Sequence, residues 1–156
     1  MSYLDTHYNQ IVATTHTAAS CPFCDLQEDR VLAQNELAIA LWDGYPVSPG
    51  HALIIPRRHI PSWFDATEPE QSALLALVNT AKSVIDDRHR PDGYNIGINS
   101  GAAAGQTVFH LHVHLIPRFL GDVDDPRGGV RHVIPANAKY TIGTDGSPTA
   151  VRGPIK

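Results

Sequence analysis

Three histidines, His110, His112 and His114, alternate with Leu111 and Val113 in the stretch that runs from Gly105 to Arg118. Imidazole at this density supports three readings. The rings could form the solvated face of an edge strand, although such faces usually mix Lys, Glu and Thr. They could bind a metal together, as in a hydrolytic zinc site. Or one ring could attack a substrate covalently while the other two serve it. The stretch by itself leaves the last two open. A second group with chemistry is Cys21-Pro-Phe-Cys24, which is either a redox pair or half of a zinc site. A redox pair should open a helix after a strand, and no strand is predicted before it. A complete zinc site needs two more ligands, for which His59 is a candidate, with His110 beyond it.

These residues need elements to position them. The alternation of period two makes the histidine stretch a strand, so the three rings project from one face while Leu111, Val113 and Leu115 project from the other. Pro117 is expected to end its pairing. Residues 30–34 and 36–42 read as a hairpin turning at Asn35-Glu36. Residues 43–50 are a Gly/Pro-rich loop, and 51–56 a short apolar strand opened by His51. Arg57 and Arg58 read as a surface patch. Thr67-Glu-Pro-Glu70 has the form of a capping box, followed by a helical stripe of Leu74, Leu75, Leu77, Val78, Ala81, Val84 and Ile85 that ends before Pro91. Residues 94–99 alternate as a strand. Ser100 to Gly105 is a small-residue loop that feeds the histidines. It has no Lys and no following helix, so it is not a P-loop, yet its N–H groups can bind an anion and Asn99 lies near its mouth. A short helix is expected over 3–11 and a short strand over 130–135. The fold class is α+β, an antiparallel sheet of about five strands with one long helix across a face.

At 156 residues, 42% hydrophobic and 18% charged, the chain suits one globular domain. The expected layout is an arm over 1–20, the domain over 21–136 and an irregular tail over 137–156. A net charge of −4 gives no general attraction to nucleic acid, while a phosphorylated small molecule needs only a few local donors. No apolar run approaches a membrane span, and the first residues lack the pattern of a signal peptide. The expected location is cytoplasmic, where two cysteines do not form a structural disulfide.

The segment His110-Leu-His112-Val-His114-Leu-Ile116 resembles the signature of the histidine-triad (HIT) family. Gly105-Gln-Thr-Val108, Pro49-Gly-His-Ala-Leu-Ile-Ile-Pro56 and Asp43 are similar to that family as well. Several spaced motifs in order make the likeness specific, because a lone His-x-His-x-His also occurs in cupins and other metal barrels. The resemblance covers roughly 21–118. It implies nucleotide hydrolysis or nucleotidyl transfer through a nucleotidyl-histidine intermediate. His112 would be the nucleophile, consistent with a free imidazole pKa of about 6.5. His114 would help the leaving group depart, and His51 would lie beside the nucleophile and orient it. Gln106 and Thr107 would donate to the α-phosphate, Asn99 would contact phosphate, and Asp43 would accept from the ribose hydroxyls. Arg118 follows Ile-Pro as in the dinucleoside-polyphosphate branch and could attract the leaving portion. Some members hold structural zinc on a set that maps to Cys21, Cys24, His59 and His110. The family also implies a homodimer and no organic cofactor. Dinucleoside polyphosphates and nucleoside phosphoramidates are both open as substrates. A transferase with a phosphate acceptor and a nucleotide-binding regulatory protein are the alternatives.

Overall fold

The computed structural model describes residues 18–138, 140–142, 144 and 148–150. The helix expected over 3–11 lies outside the described residues. Five strands, β1 (Val31–Gln34), β2 (Ala38–Trp42), β3 (Ala52–Pro56), β4 (Gly93–Ile98) and β5 (Val113–Arg118), form one sheet in the order β1-β2-β3-β5-β4. Among the described residues one long helix, α1 (Glu68–His89), packs on one face. This is the expected α+β fold.

The side-chain period explains the layers. Ala38, Ala40, Ala52 and Ile54 point to the helix and meet Leu74, Leu77, Val78, Ala81 and Ile85. Their neighbours Leu41, Leu53 and Ile55 point the other way and pack with Cys21 and Phe23. The three alanines are small, which gives the helix room to lie close to the sheet. Strand β3 is buried along its whole length because both of its faces are covered.

The β1–β2 turn is held by Asn35, whose Oδ1 accepts from the amides of Leu37 and Ala38 and whose Nδ2 donates to the Ala73 carbonyl of α1. The capping box at Thr67 is present in both directions. Arg58 departs from the surface-patch reading. Its guanidinium donates to both oxygens of Glu70 at 2.9 and 2.8 Å, and Glu70 is almost fully buried. The Arg58 hydrogen bonds, aided by the Thr67 amide, lower the Glu70 pKa from 4.5 to about 2. A depressed carboxyl pKa contributes stability that is present above the ordinary value and lost as pH falls toward the folded one. We therefore expect Glu70→Ala to cost about 2 kcal/mol at pH 7, from the lost cap and the charged hydrogen bonds. Urea unfolding of both proteins at pH 7 and at pH 3 checks this, since the difference must shrink at the lower pH.

Contacts divide the chain into two compact units, Met1–Pro117 and Arg118–Lys156. In the second unit the strand expected over 130–135 is instead a 3-10 helix, Gly129–Val133. Gly128 before it has φ +92°, and a Cβ there would meet the Ala138 carbonyl oxygen at 2.6 Å. The tail expected to be irregular contains a hairpin of β6 (Tyr140–Ile142) and β7 (Pro148–Ala150). Alternating apolar residues suggested a strand at 130–135, and the left-handed Gly128 turns the backbone into a helical path. Among the described residues no helix is long and apolar enough to cross a membrane.

Candidate active site

His114 lies on β5, opposite Leu53 of β3. His110 and His112 precede the strand, in an irregular run that donates from the Leu111 amide to the Ile60 carbonyl. The expectation of a strand through all three histidines is thus met only at the third. Pro117 lies inside β5 and does not end it. The alternation of faces nevertheless persists, since Leu111, Val113 and Leu115 are buried toward the helix.

His112 is 7% exposed, and its Nδ1 lies 2.8 Å from the His110 carbonyl oxygen. A carbonyl only accepts, so Nδ1 carries the hydrogen and Nε2 keeps its lone pair. The ring of Phe23 meets His112 edge-on at 5.4 Å, and the ring of His114 does so at 5.0 Å. Sequence reasoning missed Phe23, although it sits between the two cysteines. It also missed the Pro56 carbonyl, which no side-chain pattern reveals.

A second set of contacts reaches His114 from the far end of the β2–β3 hairpin. Trp42 pairs with Ala52, so the next residues out, Asp43 and His51, face one another, and the Asp43 amide donates to the His51 carbonyl at 3.0 Å. His51 Nδ1 is 3.1 Å from Asp43 Oδ2, and His51 Nε2 is 3.1 Å from His114 Nδ1. The other Asp43 oxygen accepts from the Tyr45 amide at 2.9 Å. His51 is therefore bonded to His114, not to His112, beside which it was expected to lie. Burial lowers the His51 pKa, and Asp43 opposes that shift. Burial, then His112 and His51, lower His114 to about 4, again with Asp43 opposing.

The remaining residues expected at the site are dispersed in role. Asn99 is half-buried just past β4, and Thr107 is exposed. Gln106 is 1% exposed, and its amide donates to the Pro61 and Val108 carbonyls while its Oε1 accepts from Gly101. In this geometry Gln106 organises the 100–105 loop. Gly101 and Gly105 both take φ +87°, which favours glycine at each end of the alanine run. Arg118 pairs with Asp122 through Nε and Nη2 at 2.6 and 2.7 Å.

A third cluster gathers Cys21, Cys24, His59 and His110, whose ligand atoms all lie within 4.8 Å of one another. His110 Nδ1 is 3.5 Å from Cys21 Sγ and 3.6 Å from Cys24 Sγ, and His59 Nδ1 is 3.2 Å from Cys24 Sγ. Zinc bonds near 2.3 Å to sulfur and 2.05 Å to nitrogen give a tetrahedral S···N edge of roughly 3.6 Å, so the donor set fits that ion. His110 Nε2 donates to the Pro56 carbonyl at 2.8 Å, which leaves Nδ1 bare for a metal. Burial, with Cys21 beside it, pushes the Cys24 thiol above 9.0, so two thiolates here call for a cation.

The HIT domain profile matches residues 26–121. The chain is 38% identical over 99 residues to a protein of Mycobacterium tuberculosis named AP-4-A phosphorylase, covering 63% of this chain and 51% of that one. It is 37% identical over 93 residues to the bis(5'-adenosyl)-triphosphatase of Dictyostelium discoideum, covering 60% of this chain and 62% of that protein. The chain thus spans about half to three-fifths of these two relatives. The crystal structure of a zinc-bound histidine triad family protein from Mycobacterium smegmatis matches with a TM-score of 0.62 at 32% identity, over 68% of this chain and 80% of that one.

Proposed function

The chain belongs to the histidine-triad (HIT) domain family, and on that premise we propose that it hydrolyses nucleotides at the α-phosphate and releases a nucleoside monophosphate. The observation that carries this reading is the bare Nε2 of His112, fixed by the Nδ1 bond to the His110 carbonyl. In the proposed first step the Nε2 lone pair forms a bond to phosphorus. The bond from phosphorus to the leaving oxygen breaks, and that oxygen takes the Nε2 proton of His114. The imidazole of His112 becomes cationic as it attacks, which strengthens its Nδ1–H bond to the carbonyl. Water then attacks phosphorus, the N–P bond returns its electrons to His112, and His114 accepts a proton.

Around this centre we assign Asp43 to the ribose hydroxyls, and Asn99, Thr107 and the amides of the 100–105 loop to the phosphate. Gln106 shapes that loop, and Arg118 serves the leaving portion once released from Asp122. Cys21, Cys24, His59 and His110 would hold a structural zinc, which supplies rigidity and no reactive water, since four protein donors fill a tetrahedral ion. The names of the two relatives favour dinucleoside polyphosphates as substrates over phosphoramidates. One of them is named a phosphorylase, which supports a second reading with inorganic phosphate as the acceptor in place of water. A homodimer in the cytoplasm completes the proposal. Light scattering checks the dimer at twice the chain mass of 17.0 kDa.

The test is a panel of dinucleoside polyphosphates and nucleoside phosphoramidates, with and without phosphate. Acid quenching should trap a protein adduct heavier by one nucleotidyl group. A monophosphate product in both buffers supports hydrolysis, and a diphosphate that appears only with phosphate supports transfer. No turnover across the panel, with nucleotide still bound, would leave a binding protein.

A further inference from the structure

Asp43 has a second neighbour that the ribose reading does not use. Its Oδ2 meets His51, whose opposite nitrogen meets His114. We propose that Asp43 is a positioning residue for His114: through the contact of its carboxylate with His51 Nδ1 it fixes the tautomer in which His51 accepts from His114 Nδ1, and so turns His114 Nε2 to the leaving oxygen. This inference rests on the hydrolase reading for its consequence in turnover, and on geometry alone for its tautomer.

The hydrogen assignment weighs two partners of His51 Nδ1. The Val47 amide donates to it at 3.3 Å, which calls for a lone pair there. The Asp43 carboxylate is nearer, at 3.1 Å, and charged, and a carboxylate only accepts, so we place the hydrogen on Nδ1 and the lone pair on Nε2. His114 Nδ1 then carries the hydrogen between the two rings. Asp43, His51 and His114 are near enough to suggest a metal site. Each nitrogen of His51 is already matched to a different neighbour, though, so the three form a chain. An ion would need their donor atoms to converge on one point. The sequence supports the same arrangement, because Asp43 and His51 flank paired ends of one hairpin and their separation is set by the β2–β3 register.

The chain has an electrostatic role that a ribose contact lacks. The titratable groups acting on His114 are His112 on its own segment, His51 before β3 and Asp43 after β2. Burial and both histidines disfavour a charged His114. Asp43 alone favours it. When a phosphate group arrives and His114 takes up a second proton, on Nε2, from solvent, Asp43 is the fixed negative charge at the far end of the pair. Asp43 keeps its own charge throughout. In the first step one proton passes from His114 Nε2 to the leaving oxygen, and in the second the attacking water returns one to that nitrogen.

Asp43→Asn tests this, because the amide keeps the size and removes the charge. It can also turn its NH₂ toward His51 Nδ1 and so favour the other tautomer. With ribonucleotide and with 2′,3′-dideoxynucleotide substrates alike, kcat should fall at least about tenfold, and the alkaline limb of its pH profile should move acidward by about one unit. A variant that raises KM for the ribonucleotide alone, with an unmoved profile, would overturn the proposal and leave Asp43 as a sugar contact. Nitrogen NMR of histidine in the substrate-free wild type gives an answer independent of turnover. The expected spectrum has His51 protonated at Nδ1 and bare at Nε2, and the reverse tautomer would also overturn the proposal. A protein that passes the NMR test and turns over no nucleotide would refute the hydrolase reading and retain the relay.

Discussion

Replacing His112 with alanine is expected to lower turnover by more than about a hundredfold while nucleotide affinity stays within about tenfold. The two effects separate because the ring acts on the reaction and contributes little to ground-state contacts. Alanine removes the attacking Nε2, and no other bare imidazole nitrogen in the described cluster is aimed in the same way. His110 is buried with Nε2 bonded to Pro56, and His114 Nδ1 faces His51. The residual rate would be attack by water on a bound and polarised phosphate, which binding and phosphate donors still assist. A hundredfold loss corresponds to about 2.7 kcal/mol of barrier. The trapped nucleotidyl adduct should vanish together with the rate. Turnover above about a hundredth of wild type, or an adduct that persists on another residue, would refute the assignment of the nucleophile.

The second large effect concerns the metal. Purified protein is expected to contain close to one zinc per chain, and a strong chelator should lower its melting temperature by about 10 °C. The size follows from linkage. An ion present at roughly a thousand times its dissociation constant stabilises by about 4 kcal/mol, and in a chain of this length each kcal/mol moves the midpoint by about 2–4 °C. The site joins residues 21 and 24 to 59 and 110, so it closes long loops and ties the N-terminal segment to the run that carries the nucleophile. Cys24→Ala should reproduce the loss of stability and make the chelator inert. Affinity should fall at acid pH, because the thiolates must lose their protons to bind. Less than about 0.2 zinc per chain in a protein that melts at the same temperature with chelator would leave the cysteines as packing residues. The nucleophile would not be affected, since its orienting bond is to the backbone of His110 and not to that ring.

The fold was legible wherever a local rule matched the tertiary context. The Thr67 capping box and the Leu74–Ile85 stripe gave α1 to within a residue or two, because cap and stripe act within a few turns. The β1–β2 hairpin was readable for the same reason. The run Val130 to Ile134 misled because its apolar residues read as a strand, whereas Val130, Val133 and Ile134 are exposed on a 3-10 turn and the deciding feature is a positive φ at Gly128. At the site, the residue types were legible and the pairings were not. The cluster of Cys21, Cys24, His59 and His110 could be named because a candidate ligand set has few members. That His51 would bond His114 instead of standing by His112 depends on how the end of one hairpin meets the neighbouring strand. Arg58 illustrates the same gap. Two adjacent arginines look like a solvated patch until a helix twelve residues on supplies a buried carboxylate.

Strand β3 has a consequence for which changes of length the chain can tolerate. His51 enters it and meets His114, and the Pro56 carbonyl leaves it and meets His110. The strand from Ala52 to Pro56 has five residues, or roughly 16 Å of extended backbone, all buried. The two poles therefore share one rigid ruler. A codon inserted into or deleted from that ruler would do more than move the poles by one step. It would invert the phase of every side chain beyond it, turning Leu53 and Ile55 toward the helix and Ile54 away from it. Length changes are then acceptable only in the flanking loops or in pairs, so related chains should differ by insertions around this segment and keep its five-residue count intact.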